Sequence, residues 1–183
     1  MTTDEQLAKA AQQGSEPAFS ELVRRYRTRL LRFLLTRSAS RADAEDAIQD
    51  TFVNAYRYLH SYNPRWRFST WLYRIAIRNA ARQARHESTA LAEQRSDSGD
   101  PLAECIAASE RENLWWTAKT LLSADAYAAM WLRYVEDMPV ADVARALQRP
   151  LPWTKVTLMR ARRRLSRALA EEAGTATRRE IYG

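Results

Sequence analysis

Apolar side chains recur at intervals of three and four residues in one segment of the chain after another. After Ser15 this apolar stripe comprises Phe19, Leu22, Val23, Tyr26, Leu30, Phe33 and Leu34. Such spacing places the apolar side chains on one face of an α-helix. Glycine occurs only four times in 183 residues, and residues that favour helices are abundant. The sequence therefore predicts an all-α fold with few strands.

Polar residues suited to capping precede the predicted helices. In chain order these residues are Thr3, Ser15, Ser40, Ser69 and Ser123. The helix capped by Ser69 is expected over about residues 70–86, after a turn at Asn63 and Pro64. The helix after Ser123 is expected to contribute four large side chains to the core: Tyr127, Met130, Trp131 and Tyr134.

The composition changes after His86. Residues 87–109 are rich in Ser, Asp, Glu and Ala, and residues 95–101 (RSDSGDP) are the clearest break. Such composition is typical of interdomain linkers. The sequence therefore predicts two small helical domains, over residues 1–86 and 110–172, joined by a flexible linker over 87–109. Residues 173–183 are expected to form a disordered tail.

The first domain carries an acidic strip. Asp43, Asp46, Gln49, Asp50 and Asn54 recur in steps of three and four, away from the apolar face of the same helix. Carboxylates in the first turns, such as Asp43, also suit the positive end of the helix dipole. Asp50 lies two turns into the helix, so helix stabilisation does not account for it. We therefore expect a basic protein partner at this strip.

The residues after the acidic strip are basic and aromatic. From Thr51 to His86 there is no Asp or Glu, and seven arginines occur. From Tyr56 to Tyr73, seven aromatic residues are mixed with them: Tyr56, Tyr58, Tyr62, Trp66, Phe68, Trp71 and Tyr73. Rings beside fixed positive charge are typical of surfaces that bind unpaired nucleic-acid bases. Burial in the core is the alternative for any single ring, and Trp71 fits the apolar pattern of its helix, whereas Trp66 and Phe68 are expected in or beside a loop.

The second domain contains a helix-turn-helix pattern. Pro139 can open a short helix, residues 148–152 form a tight connection, and a last helix is expected from Trp153 or Thr154. Between Val143 and Ala170 eight basic residues occur without an acid. On the last helix, four side chains are predicted to form a base-reading surface: Lys155, Val156, Met159 and Arg160. The spacing places Arg162, Arg163 and Arg167 better for phosphate contacts.

Charge and composition exclude several other classes. A net charge of +7 and a pI near 9.9 favour a polyanionic partner. No apolar run is long enough to span a membrane, and the N-terminus does not resemble a signal peptide, so we expect a cytoplasmic protein. A single cysteine, Cys105, excludes an internal disulfide, and with only two histidines beside it the composition argues against a metal site. No cofactor is expected. An enzyme such as a nuclease is not expected either, because no carboxylate cluster accompanies the basic stretches and no nucleophile adjoins a histidine.

Four motifs occur in a characteristic order: DAEDAIQDTFVNAY (43–56), FSTWLYRIA (68–76), VADVARAL (140–147) and TKVTLMRARRRL (154–165). With these motifs the chain resembles bacterial RNA polymerase sigma factors of the extracytoplasmic-function (ECF) class. The motifs resemble regions two and four of that family and cover nearly the whole chain except the linker and the tail. This resemblance implies a non-catalytic subunit that binds core polymerase, recognises two promoter elements and melts DNA.

The resemblance also implies a role for each surface. The acidic strip corresponds to the surface for the coiled coil of the polymerase beta-prime subunit, and the second domain is expected to meet the beta flap. Binding of the minus-ten element, as duplex and single strand, is implied for Tyr62, Arg65, Trp66, Arg67, Phe68, Trp71, Tyr73, Arg74, Arg78 and Arg82. Binding of the minus-thirty-five element is implied for Trp153, Thr154, Lys155, Val156, Met159, Arg160, Arg162 and Arg163. An anti-sigma factor is a further candidate partner.

Three features depart from the pattern of the family. Arg78 and Arg82 stand where family members often have Asn and Asp, which affects the expected minus-ten preference. Gln148 replaces a common turn glycine, and Trp153 with Pro152 replaces small residues before the last helix. The alternative hypothesis is a stand-alone helix-turn-helix repressor. It explains residues 140–169, but it assigns no role to the acidic strip or to the aromatic and arginine-rich segment.

Overall fold

The fold is all-helical over the residues that the computed structural model describes, 2–38, 40–90 and 110–182. The first half consists of α1 (Asp4–Gln12), α2 (Glu16–Leu35), α3 (Arg41–Arg57), a 3-10 turn (Leu59–Ser61) and α4 (Phe68–Ala90). The second half consists of α5 (Glu110–Leu121), α6 (Ala124–Tyr134), α7 (Val140–Leu147) and α8 (Leu151–Tyr182). The predicted linker and Cys105 lie outside the described residues, apart from the last turn of α4.

Four helices begin at the caps that the sequence predicts. The Thr3 hydroxyl accepts a hydrogen bond from the Gln6 N–H, and the Gln6 side chain accepts one from the Thr3 N–H, which completes a capping box. The hydroxyls of Ser15, Ser40 and Ser123 each accept from the backbone N–H three residues later. Each cap satisfies one amide that has no partner inside its helix.

The prediction for α4 was wrong at its start. The helix begins at Phe68 rather than near Thr70, so Ser69 lies inside its first turn. The Phe68 N–H donates to Glu5 Oε1 at 3.2 Å. A carboxylate from α1 therefore caps α4, which no local pattern around Ser69 could indicate.

The last helix is longer than expected at both ends. It begins at Leu151, and it continues through residues 173–182, where the sequence predicted disorder. Leu151 and Pro152 fit the first turn because proline has no amide hydrogen to leave unpaired there. After Pro152 no proline interrupts the chain, and Ala, Glu and Arg favour helix.

Apolar faces of α2, α3 and α4 form the core of the first half. The stripe on α2 is buried at Leu22, Tyr26, Leu30, Phe33 and Leu34, as its spacing predicts. It packs against small side chains of α3 and the buried face of α4. These contacts leave the opposite face of α3 exposed to solvent, together with Arg74, Arg78 and Arg82 on α4.

The core of the second half lies between α6, α7 and α8. Tyr127, Met130 and Trp131 are buried as predicted, but Tyr134 is half exposed, so its assignment to the core was wrong. Tyr134 is the last residue of α6, and its ring lies at the surface beside Arg133, whose guanidinium carbon is 5.8 Å from the ring centroid. From α8, Leu158, Ala161 and Leu165 face this core.

The two halves pack against each other in one continuous core. Trp131 of α6 lies against Phe33 of α2, with ring centroids 6.4 Å apart. The Arg37 guanidinium donates to the Ala124 carbonyl at 2.9 Å, and α7 packs along α4. The interface therefore buries one face of α4 under the helix-turn-helix.

None of the helices in the described part of the chain combines the length and the apolar character that a membrane span needs.

Candidate functional site

The acidic strip lies on the solvent-facing side of α3. Asp46 and Gln49 are exposed, and Asp50 is half-buried. Asp43 instead completes the cap, since its carboxylate accepts from the Ser40 hydroxyl at 2.5 Å. The charge that remains available to a partner is therefore concentrated at Asp46 and Asp50.

Polar contacts fix α3 against α4 beside this strip. The Asn54 amide donates to Asn79 Oδ1 at 3.2 Å, and the buried Asn79 amide reaches the Thr51 hydroxyl at 3.4 Å. Farther along the pair, Arg82 Nη2 lies 3.3 Å from Asp50 Oδ2. The acidic strip thus borders the arginine-rich face of α4 directly.

The loop before α4 displays Trp66 at the surface. The Gln12 amide donates to the carbonyls of Leu59 and Tyr62 at 2.8 and 2.9 Å, which ties the loop to α1. The Tyr62 hydroxyl donates to the Trp66 carbonyl at 2.7 Å. The backbone is therefore held at both ends, while the Trp66 side chain remains 43% exposed.

Three of the predicted nucleic-acid contacts are buried instead. Phe68 is 1% exposed and packs its ring against Tyr26 and Tyr62, with centroids 5.6 and 5.5 Å apart. Tyr73 is enclosed beside Phe33, and burial raises its pKa well above the usual value. The prediction of base stacking for Tyr62, Phe68 and Tyr73 was wrong, because Phe68 and Tyr73 pack against rings of α2 and Tyr62 packs against the start of α4. Trp71 is half-buried against the same rings.

The arginines around Trp66 point into solvent. Exposed guanidinium groups follow the loop and the outer face of α4 at Arg65, Arg67, Arg74, Arg78 and Arg82. The sequence predicts this placement, because four-residue steps from Arg74 to Arg82 follow one face of a helix. The arrangement is one partly exposed ring among several cations, which suits a flexible anionic strand.

The helix-turn-helix connection places the outer face of α8 in solvent. Lys155, Val156, Met159 and Arg160 are exposed, as are Arg162 and Arg163. Thr154 is fully buried, and its hydroxyl donates to the Pro150 carbonyl at 3.2 Å. The prediction of a DNA contact for Thr154 was therefore wrong. Trp153 is half-buried beneath Arg149, whose guanidinium carbon lies 5.2 Å from the ring centroid.

Comparison with known proteins decides the family. A family model for sigma-70 region 2 matches residues 22–89. The ECF RNA polymerase sigma-E factor of Haemophilus influenzae is 32% identical over 174 residues, which cover 87% of this chain and 92% of that protein. The chain belongs to the extracytoplasmic-function sigma factors. It therefore functions in transcription initiation, and the stand-alone repressor is not favoured, since the likeness extends over both halves.

Solved structures of sigma factors share the fold. CnrH, in complex with the cytosolic domain of CnrY, superposes with a TM-score of 0.69 at 24% identity, over 92% of this chain and 97% of that chain. RpoE from Bartonella quintana, in complex with the anti-sigma factor NepR, gives a TM-score of 0.65 at 20% identity, over 83% and 96%. Sigma factors are in general regulators of transcription initiation rather than enzymes.

Several residues shape the surfaces of this sigma factor, although the sequence analysis did not identify them. Glu5 and Gln12 anchor the loop of Trp66, and both act on residues far along the chain. Asn79 lies among arginines, so its buried contact with α3 had no local signal. Arg145 stands over Trp66, and only the packing of α7 on α4 brings these two residues together.

Proposed function

We propose that this sigma factor binds core RNA polymerase through the acidic strip on α3, with Asp46, Gln49 and Asp50 as the contacting side chains. A charged patch on an exposed helix face attracts a basic partner and sets its orientation. The strip lies away from the core, so its side chains are available for binding. The expected partner is the beta-prime coiled coil. Asp43 contributes by capping the helix, and Asn54 by joining α3 to α4.

The minus-ten element is proposed to bind the adjacent face of α4. The observation that carries this proposal is the exposed Trp66 on an anchored loop, surrounded by Arg65, Arg67 and Arg74. Stacking on an aromatic ring contributes about 1–3 kcal/mol per base. Opening a base step costs roughly 1–2 kcal/mol of stacking. One captured base with several neutralised phosphates is therefore enough to start a bubble. Arg78 and Arg82 extend the cationic surface along the helix.

The minus-thirty-five element is proposed to bind α8. Lys155, Val156, Met159 and Arg160 occupy the face that is turned away from the core, where a helix in the major groove meets base edges. Arg162 and Arg163 lie farther along the helix and are assigned to phosphates. Trp153, half-buried at the start of α8, supports the helix rather than reading a base.

We further infer two functional units, α1–α4 and α5–α8, that move apart to reach both promoter elements. The segment between them includes residues 91–109, outside the described residues. The polymerase, and not this subunit, catalyses bond formation in the transcript. The beta flap is the expected partner of the second unit. An anti-sigma factor is also proposed as a partner, because the similar RpoE structure contains one.

Run-off transcription with purified core polymerase tests the proposal. Core enzyme alone is expected to give no specific product, and core with this protein is expected to initiate at discrete start sites preceded by common sequences. Co-purification with core polymerase separates this function from that of a repressor. Specific DNA binding without core binding or transcription would contradict the proposal.

A further inference from the structure

An arginine of α7 covers the exposed ring of Trp66. The guanidinium carbon of Arg145 lies 3.9 Å from the centroid of Trp66. Asp142, one turn earlier on α7, accepts from Arg145 Nη1 at 2.6 Å and fixes the group in this position. A planar guanidinium stacks on an aromatic face much as a nucleobase does. Arg145 thus occupies the place where the proposed function puts a base.

Gln148 makes a second contact between α7 and α4. Both Arg74 atoms that face the Gln148 amide are donors, so the amide oxygen is assigned to that side, where it accepts from Nη2 at 2.6 Å and Nε at 3.2 Å. Gln148 has φ 54° and ψ 41°, a left-handed conformation that favours glycine. Glutamine therefore adds strain at this turn, and its side chain supplies the contact with Arg74.

A third pair places a carboxylate near a cation of the same surface. Asp142 Oδ2 lies 3.9 Å from Arg67 Nε. A guanidinium on the ring, an oxygen acceptor at Arg74 and a carboxylate near Arg67 reproduce the groups that a single strand offers: a base and its anionic backbone. The three contacts use side chains from one helix and the residue after it.

We propose that α7 is an intramolecular competitor of single-stranded DNA, which closes the Trp66 surface through Arg145 and Gln148 until the two halves separate. This α7 latch rests on the proposed role of Trp66 in binding the minus-ten strand. While it is closed, the chain can neither stack a base on Trp66 nor place a phosphate against Arg74.

The contacts that close the latch are exposed to solvent and can therefore open. Trp66, Arg67 and Arg145 all remain about half exposed, so water competes for each contact. A cavity of about 410 Å³ remains between α4 and α7, lined by Trp66, Thr70, Trp71, Arg74, Arg145 and Gln148. Around this cavity α4 and α7 meet through partly exposed side chains, so water reaches these contacts. Such a contact lowers the fraction of binding-competent chain, and the apparent affinity for DNA falls by the same factor.

Three substitutions in the full chain test the latch. Arg145→Ala removes the stacked group, and Gln148→Gly removes the acceptor while relieving the left-handed strain. Both are expected to tighten binding of a short fluorescein-labelled single strand of minus-ten sequence, measured by anisotropy, by about fivefold. Gln148→Glu keeps the chain length and adds a charge for Arg74, so it is expected to weaken binding. The opposite signs at one position separate the latch from a general change in stability.

The control is Arg24→Ala, which removes an equally charged side chain whose partner, Glu21, lies on the same helix. Loss of a cation ordinarily weakens DNA binding, so tighter binding by Arg145→Ala has the sign that only the latch predicts. Small-angle scattering provides a readout without DNA, and both opening variants are expected to increase the radius of gyration.

These readouts distinguish the latch from the proposed function. A larger radius without tighter DNA binding would show that Arg145 and Gln148 hold the two halves together, but it would contradict competition with DNA and the role of Trp66 in DNA binding. Parental radius and parental affinity in both Arg145→Ala and Gln148→Gly would overturn the latch, whatever Trp66 binds.

Discussion

Arg29 on α2 hydrogen-bonds and pairs with Glu136, which follows α6 and has a side chain only 1% exposed. Burial alone would lower the pKa of Arg29, but the Glu136 carboxylate, together with the nearby Tyr73 and Tyr26, raises it by more, and the net shift is upward. The pair joins the two halves of the chain. Removing one partner of such a pair leaves the other charge buried without compensation.

Arg29→Ala is therefore expected to lower the free energy of unfolding by about 3 kcal/mol. Urea denaturation followed by far-UV circular dichroism measures it. Arg27→Ala, an exposed arginine of the same helix, is the matched control and is expected to stay within about 0.5 kcal/mol of the parent. Equal midpoints for the two variants would show that the Arg29–Glu136 pair adds nothing to stability.

Stability in acid is expected to depend on Glu21. Hydrogen bonds from Arg24 and Arg25 lower the pKa of Glu21 from 4.5 to about 2. A carboxyl whose pKa is lower in the folded state stabilises the fold above its unfolded pKa, and this contribution disappears as the pH falls through the folded pKa. Glu21→Gln should therefore reduce stability at neutral pH and lose less stability between about pH 5 and 2. Glu16→Gln, at an exposed position of the same helix, is the control, and identical pH profiles for both variants would contradict the assignment.

Periodicity and capping chemistry explain why the helices could be predicted from the sequence. The stripe on α2 and the caps at Thr3, Ser15 and Ser40 depend on neighbours within one or two turns, and all are confirmed. The start of α4 could not be predicted, because Glu5 caps it from another helix. The exposed arginines of α4 also follow from spacing alone.

The aromatic residues show where sequence reasoning fails. Trp66 and Phe68 are two positions apart beside the same loop, yet one is exposed and the other is buried against Tyr26 and Tyr62. Base stacking and core packing require the same side chains, so composition does not separate them. Thr154 and Tyr134 were misassigned for a related reason, since burial is set by partners that lie elsewhere in the chain.

Charge reversal on α3 tests the proposed contact with core polymerase. Asp46→Lys with Asp50→Lys is expected to abolish competition for core polymerase, because like charge then faces a basic partner. Helicity should be preserved, since both residues lie off the buried face and their replacement creates no cavity. Binding is measured by displacement of a labelled sigma factor from core enzyme.

Glu45→Lys is the control for position, because it makes on α3, outside the acidic strip, the same charge change that each single substitution of the pair makes. It is expected to retain core binding. If the Asp46 and Asp50 double variant competes for core polymerase as well as the parent does, the acidic strip is only a solvated helix face.

Arg160 and Arg163 of α8 are expected to make different kinds of contact with DNA. Arg160→Ala should cost about 1–3 kcal/mol at one base position of the minus-thirty-five element, because a side chain that reads a base edge contributes specificity. Arg163→Ala should weaken binding to every sequence and reduce its salt dependence. Titrations on cognate and scrambled duplexes at several salt concentrations separate the two effects. If both variants lose the same affinity on both duplexes, α8 does not read bases through Arg160.

The exposed Trp66 should act after the promoter is bound. Trp66→Ala is expected to leave formation of the closed complex nearly unchanged and to slow opening, because the ring is needed only once a base leaves the duplex. Tyr58→Ala, also half exposed and close in sequence, is the matched control. Phe68→Ala is unsuitable here, since truncating a buried aromatic costs about 3–5 kcal/mol of stability.

The role of Trp66 in DNA melting is tested most directly by the permanganate reactivity of unpaired thymines at the minus-ten element. This reactivity is followed over time with holoenzyme on duplex promoter. We expect reactivity to appear more slowly with Trp66→Ala than with the parent or Tyr58→Ala. A template already mismatched across the minus-ten element should restore most of the transcription that Trp66→Ala loses. Opening at the parental rate, or no rescue on the premelted template, would contradict the assignment of this surface to DNA melting.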